Sequence, residues 1–151
     1  MSPITMSNDT IVQEVTIKAP AARIFDALTK PAELLKWWNS GSFQLTHAEC
    51  DVRPGGKWLM RVAGNCGPGQ SESVVSGEYL AIERPHLLSF TWIREHENLP
   101  ETLVRWELDE KDGQTTVRVI HSKLITESLH TRNSGWPIVV ARLQAYIEHG
   151  A

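Results

Sequence analysis

The sequence predicts an α+β domain in which an antiparallel sheet packs against a long helix at the C-terminal end of the chain. Between residues 43 and 122, six strand candidates follow one another with only turn residues between them, which is typical of an antiparallel meander. The last segment, Ser134 to His149, instead carries apolar residues at helical spacing. One strand and two short helical segments precede the meander. Because strands and helices do not alternate after them, a parallel βαβ sheet is not predicted.

The chain has 151 residues, a length at which one hydrophobic core can be stable without disulfides or a metal. No repeat, low-complexity tract or long linker divides it. We therefore expect a single domain at residues 10–151, after a short flexible tail at residues 1–9. That tail lacks the basic and apolar regions of a signal peptide.

Charge and cysteine usage argue against several classes of function. The net charge of −3 and the lack of a basic cluster argue against nucleic-acid binding. No apolar stretch approaches the roughly 20 residues that a membrane helix needs. Cys50 and Cys66 fit a reducing compartment, so we expect a cytoplasmic protein. His47 and Cys50 have a ligand-like spacing, but no second pair follows, and neither a metal nor another cofactor is predicted.

The N-terminal part predicts one strand and two helices. Residues Thr10–Ile17 are mostly β-branched or apolar, which is typical of a strand with one solvated face. A first helix is predicted at Ala21–Thr29, and Pro31 opens a second at Ala32–Trp38. In the second helix three side chains are expected to be buried or half-buried: Leu34, Leu35 and Trp38.

The middle of the chain predicts hairpins. The six strand candidates are Phe43–Cys50, Lys57–Val62, Ser73–Ile82, Leu87–Arg94, Thr102–Glu110 and Thr115–Ser122. Residues 53–56, with the sequence Arg-Pro-Gly-Gly, form a turn, and the Asp112-Gly113 pair is a strong hairpin signal.

The closing helix is the clearest element. Ser134 is a suitable N-cap, Pro137 falls in the first turn, and Gly150 suits the C-terminal cap. The predicted buried stripe consists of Trp136, Val139, Val140, Leu143 and Ile147.

Alternation along the strands sorts the side chains onto two faces of the sheet. One face is charged, with Arg105, Glu107 and Arg118 as expected cross-strand partners in solvent. The helix must cover the other face. The residues expected under the helix are Trp58, Met60, Tyr79, Phe90, Trp92, Trp106, His121 and the helix residue Trp136.

The six tryptophans outnumber phenylalanine and tyrosine combined. Trp37 and Trp38 are expected to pack the second short helix onto the sheet edge, with Trp38 the better candidate for a pocket wall. The other indoles either fill the space between sheet and helix or line a pocket there, where their N–H groups would orient a ligand. The sequence leaves both alternatives open.

Several segments together resemble a known family. The opening segments Val15–Pro20, Ile24–Pro31 and Leu34–Trp38 resemble bacterial domains related to the Hsp90 ATPase activator. These belong to the START-like superfamily, with the Bet v 1 allergens and polyketide cyclases. Further matching segments are Asp51–Gly56, Gly77–Trp92, Thr115–His121 and Gly135-Trp136.

The resemblance implies a helix-grip fold. In such a fold a curved sheet of six or seven antiparallel strands grips the long C-terminal helix, and two short helices close one end. Relatives of this kind often hold a hydrophobic cavity between sheet and helix.

No catalytic motif stands out, and we nominate no catalytic residue. Residues 69–73 lack the last glycine of a nucleophile elbow, and the glycine-rich loop at residues 64–69 joins two strands instead of opening a helix. His121 is either a satisfied core histidine or a polar group at the cavity mouth. Arg94 is either a solvated strand end or a contact for an anionic head group.

The leading hypothesis is a domain that binds a small hydrophobic or aromatic molecule. Its expected ligand-binding residues are Trp38, Phe43, Trp58, Met60, Tyr79, Phe90, Trp92, Arg94, Trp106, His121, Trp136 and Val140. One alternative is a cyclase- or hydrolase-like enzyme that uses His121 and a water. Another, implied by the resemblance, is a chaperone-ATPase-regulating domain with a role in stress response. A homodimer also remains open.

Overall fold

A computed structural model describes residues 9–39, 43–64, 71–95, 99–124 and 135–150. The strands are β1 (Ile11–Ile17), β2 (Phe43–Cys50), β3 (Lys57–Gly64), β4 (Ser71–Glu83), β5 (Leu87–Arg94), β6 (Thr102–Lys111) and β7 (Gln114–Ser122). The helices are α1 (Ala21–Thr29), α2 (Pro31–Trp37) and α3 (Trp136–His149). None of these helices is long and apolar enough to cross a membrane.

The seven strands form one curved antiparallel sheet in the order β1-β7-β6-β5-β4-β3-β2. From β2 to β7 each strand pairs with the next one in the sequence, as short turns between strands require. The first strand then pairs with the last, with Ile11 opposite His121 and Ile17 opposite Thr115. The predicted α+β helix-grip architecture is confirmed, with seven strands.

The β6–β7 hairpin follows from two residues with positive φ. Asp112 has a φ of 55° and Gly113 a φ of 80°, and Lys111 pairs with Gln114 across the turn. A two-residue turn of this kind matches the twist of the flanking strands, so it fixes their register. That register places Val104 opposite His121.

Helix α3 buries one face against the sheet, as the stripe predicts for Trp136, Val139, Val140 and Leu143. The C-terminal end differs, because Tyr146 is buried whereas Ile147 is only partly buried. The N-cap also differs. Gly135 occupies it, without a side-chain capping bond, and the predicted cap Ser134 lies outside the described residues. Gly150 has a φ of 71° and ends the helix as predicted.

Polar contacts attach the C-terminal half of α3 to the N-terminal elements. The amide of Gln144 donates to the carbonyl of Thr16 at 3.0 Å, and the backbone N–H of Lys18 donates to Glu148 at 2.9 Å. The hydroxyl of Tyr146 donates to Glu33 of α2 at 2.9 Å. These contacts fix the helix axis across the sheet.

Helix α2 begins at Pro31, and its last residue, Trp37, is completely buried. The indole N–H of Trp37 donates to the carbonyl of Ala27 at 2.9 Å. Leu34 is buried as predicted. Leu35 is 42% exposed, so the prediction for this residue is wrong. Leu34 and Trp37 are three residues apart and therefore lie on the same, buried face of this short helix, whereas Leu35 lies on the other face.

The opposite face of the sheet carries the predicted charges. Arg118 lies directly opposite both Glu14 and Glu107 in the register, and it forms ion pairs with them at 2.7 Å and 3.3 Å. All three side chains are substantially exposed, so each pair contributes only a few tenths of a kcal/mol.

Gly77 allows the Thr91 carbonyl and the Trp58 indole to come very close to its backbone. A Cβ at this position would lie 1.9 Å from the Thr91 carbonyl oxygen and 2.7 Å from Nε1 of Trp58. The indole of Trp58 crosses this space and donates to the same carbonyl at 3.2 Å. A glycine is therefore required for the sheet to accept this tryptophan.

Gly77→Ala should lower the free energy of unfolding by at least about 2 kcal/mol, because the added methyl group displaces Trp58 or the Thr91 backbone. Urea denaturation measures the change. Gly135→Ala is the matched control, because nothing lies within 4 Å of the added Cβ. Equal denaturation midpoints for the two variants would show that the close approach does not exist.

Candidate functional site

The side of the sheet under α3 holds the residues that alternation assigned to it. Burial there is nearly complete, since the side chains are between 0% and 8% exposed. They are Trp58, Met60, Tyr79, Phe90, Trp92, Trp106, His121 and Trp136. These side chains are buried as alternation predicts, and together with Val140 they form the candidate site.

All six tryptophans belong to one cluster of ring contacts, called here the aromatic cluster, together with Tyr79, Phe90 and His121. Its ring centroids lie between 5.1 and 6.4 Å apart, mostly in tilted or edge-to-face arrangements. Such geometry favours the positive edge of one ring against the negative face of another. The cluster joins β3, β4, β5, β6 and β7 to α2 and α3.

His121 lies at the centre of a hydrogen-bond chain within this cluster. The indole N–H of Trp136 donates to its Nδ1 at 3.0 Å, and its Nε2 lies 2.7 Å from the hydroxyl of Thr102. That hydroxyl donates to the carbonyl of Trp92 at 3.2 Å. The chain thus connects α3 with β7, β6 and β5.

These contacts fix the tautomer of His121. Because the Thr102 hydroxyl uses its proton on the Trp92 carbonyl, it accepts from His121, and Nε2 must carry the imidazole proton. Because Trp136 donates to Nδ1, that nitrogen must be unprotonated. Both constraints give the same neutral ring. His121 is thus a satisfied core histidine, with an indole and a hydroxyl as its partners.

Burial is the main reason that the pKa of His121 falls from 6.5 to about 3, and the positive charge of Arg94 is the second. His121 is 0% exposed, so no solvent reaches a charged ring. As a result the imidazole stays neutral at neutral pH and keeps its acceptor nitrogen for Trp136.

The indole N–H of Trp92 stands out from the others. Trp37, Trp58 and Trp136 each donate to a protein acceptor. Among the described residues, however, Nε1 of Trp92 is buried with no hydrogen-bond partner, as is Nε of Arg142. Trp92 itself is only 5% exposed. The aromatic cluster therefore contains a fully buried donor that the described part of the chain does not satisfy.

Other predicted site residues lie at the margin of the cluster. Trp38 is half-buried and contacts both Trp92 and Trp136, at 6.4 Å and 6.0 Å. Arg94 is half-buried, two residues beyond Trp92 on the same strand. Phe43 is also half-buried, but it pairs with Gly64 at the start of β2 and has no place among these ring contacts.

Thr102 is the site residue that the sequence reasoning missed. It is 1% exposed and links His121 to the Trp92 carbonyl. Thr102, Val104 and Trp106 are alternate residues of β6, so their side chains share the covered face. This alternation could have identified Thr102 from the sequence.

The two residues with ligand-like spacing on β2 lie in different surroundings. His47 is exposed and bonds Glu49 at 2.6 Å, whereas Cys50 is partly buried beside Tyr79. Burial raises the pKa of the Cys50 thiol and, still more, that of the Tyr79 hydroxyl. The described ranges contain no group of three or more side chains able to hold a metal ion.

A groove of about 340 Å³ lies on the outer face of β3, β4 and β5. Its lining includes Lys57, Leu59, Glu78 and Ile93, together with Trp58 of the aromatic cluster. The groove therefore combines charged side chains with apolar ones.

Comparison with known families gives one match. The family described as Activator of Hsp90 ATPase homolog 1-like protein matches residues 18–148. A search of curated proteins gives no match.

Solved structures share the fold. A Mycobacterium smegmatis protein has a TM-score of 0.78 at 23% identity, covering 93% of this chain and 91% of that chain. The AHSA1-like protein from Aeromonas hydrophila has a TM-score of 0.74 at 19% identity, covering 93% of each. DynU16, from the dynemicin biosynthetic locus, has a TM-score of 0.73 at 24% identity. This chain covers only 49% of it, while 95% of this chain is matched.

Acidification should weaken the fold through His121. The unfolded chain takes up the proton near the ordinary pKa of 6.5, whereas the folded protein does so only near 3. Between these values the unfolded state binds more protons, so the free energy of unfolding decreases as pH falls, by up to about 1.4 kcal/mol per pH unit. Urea denaturation of the wild type and of His121→Gln, from about pH 6.5 to pH 4, measures this contribution. The variant should show the shallower slope, and parallel curves would contradict the buried neutral ring.

Proposed function

This chain belongs to the Activator of Hsp90 ATPase homolog 1-like family, and we propose that it binds a small apolar or aromatic molecule between the sheet and α3. The observation that supports this most directly is the aromatic cluster itself. It joins all six tryptophans, from the covered face of the sheet and from the helices beside it, and includes a buried indole N–H without an acceptor among the described residues.

The composition of the covered face supports this proposal. Small-molecule sites are mostly apolar and aromatic, with a few polar groups that orient the ligand. Here the polar groups are His121 and Thr102, which bond each other, and the N–H of Trp92, which has no acceptor among the described residues. Trp38, which contacts Trp92 and Trp136, is half-buried and thus lies between the cluster and solvent.

The rings of the aromatic cluster suggest which probes to use. Flat aromatic molecules pack well against indole rings in tilted or edge-to-face arrangements. Fused aromatic compounds therefore belong among the first molecules to be tested on this chain.

The enzyme hypothesis receives no specific support from the geometry around His121. A general acid or base needs a ring nitrogen within reach of substrate. Both nitrogens of His121 already have partners, Trp136 and Thr102, and its lowered pKa keeps it from acting as an acid at neutral pH. Proton transfer would first require one of these bonds to break.

The chaperone hypothesis rests on the family description alone. It stays a prediction, as do the cytoplasmic location and the homodimer. Stimulation of the ATPase of an Hsp90-type chaperone by the purified chain would support it.

Binding can be located through the indole N–H signals of the six tryptophans in a proton–nitrogen correlation spectrum, assigned with Trp→Phe variants. Acetylnaphthalene and other fused aromatic compounds should shift the signals of Trp92, Trp136 and Trp38, because these rings surround the proposed site. The same compounds should raise the unfolding temperature, because a ligand that binds only the folded state stabilises it.

Leu35→Ala is the matched surface control, because Leu35 lies on α2 near Trp38 but points to solvent. It should leave both the spectral shifts and the stabilisation unchanged. Perturbation confined to groove residues such as Leu59 and Ile93 would place binding on the outer face and contradict the proposal.

A further inference from the structure

We propose that the ligand carries an oxygen acceptor and that the N–H of Trp92 donates to it. This inference rests on the proposed function and adds the chemical class of the ligand: an apolar or aromatic body with a carbonyl, carboxylate or similar oxygen. It starts from the one tryptophan N–H in the described part of the cluster that is buried and has no partner.

Among the described residues, the polar groups next to Trp92 already have partners. His121 lies 5.6 Å from it, ring centre to ring centre, but Nδ1 of that ring accepts from Trp136. The hydroxyl of Thr102 accepts from Nε2 of His121 and gives its own proton to the Trp92 carbonyl. The rings of Trp38, Trp58 and Trp136 also contact Trp92, and their faces are only weak acceptors.

A buried donor without an acceptor destabilises the folded protein, and most buried donors in proteins have one. Phenylalanine would occupy most of the same space without this cost. A tryptophan at this position is therefore explained if its N–H has an acceptor in the bound state. An oxygen of the ligand would supply that acceptor.

An ammonium group on the ligand would be unfavourable next to Trp92. It carries N–H donors and no acceptor, so it would face the N–H of Trp92 without forming a hydrogen bond. Ligands with an ammonium group should therefore bind poorly.

A pair of matched probes tests the hydrogen bond. Acetylnaphthalene and isopropylnaphthalene have the same number of non-hydrogen atoms, but only the first has an acceptor oxygen. The test compares the ratio of their dissociation constants in the wild type and in Trp92→Phe, measured by titration calorimetry. The substitution should shift that ratio against acetylnaphthalene by about threefold to tenfold, the value of one hydrogen bond. The ratio cancels the change in pocket volume, which affects both probes.

Trp37→Phe is the control variant. Its indole N–H already donates to the Ala27 carbonyl, so this substitution should leave the ratio unchanged. Aminomethylnaphthalene, a cation at neutral pH, should bind the wild type at least about tenfold more weakly than acetylnaphthalene. Equally tight binding of the cation would overturn the inference.

The outcomes separate the two proposals. If both naphthalenes bind under α3 and Trp92→Phe leaves their ratio unchanged, the acceptor inference fails and the proposed function stands. If neither binds there, the proposed function fails and the inference fails with it.

Discussion

The hydrogen-bond chain from Trp136 through His121 and Thr102 to the Trp92 carbonyl is the interaction on which the rest of this structure depends. It connects α3 to three strands inside an otherwise apolar layer. It requires a neutral imidazole with its proton on Nε2, and burial maintains that state. It also occupies the acceptors around Trp92. The same bonds that hold the helix on the sheet thus leave the N–H of Trp92 without an acceptor among the described residues.

The aromatic cluster requires close backbone approaches elsewhere. Gly77 leaves room for the indole of Trp58 to reach the Thr91 carbonyl. Gly56 has the same function in the turn before β3, because a Cβ there would lie 2.0 Å from the Asp51 carbonyl oxygen. This turn also exchanges backbone hydrogen bonds with Tyr79, a member of the cluster. Glycines at defined positions therefore determine how many large rings the covered face accepts.

Much of the fold could be predicted because it depends on local patterns. Strand alternation assigned the covered face correctly from Trp58 to His121, and the Asp112-Gly113 turn was identified from two residues. The wrong predictions concern features that depend on tertiary packing, such as the exposure of Leu35. The site was less accessible to sequence reasoning. The partners of His121 depend on the strand register and on the residue at which α3 begins. Whether the N–H of Trp92 has a partner depends on whether other donors already occupy the acceptors near it.

A crystal structure of the protein grown with acetylnaphthalene tests the central claim most directly. We expect the fused rings between the sheet and α3, in contact with Trp38 and Trp136. The carbonyl oxygen should lie about 2.7–3.2 Å from Nε1 of Trp92, the range of an N–H···O hydrogen bond. The hydrogen bond from Trp136 to His121 should remain intact. Density for the probe only in the outer groove, or a probe under α3 whose oxygen is directed away from Trp92, would contradict the account.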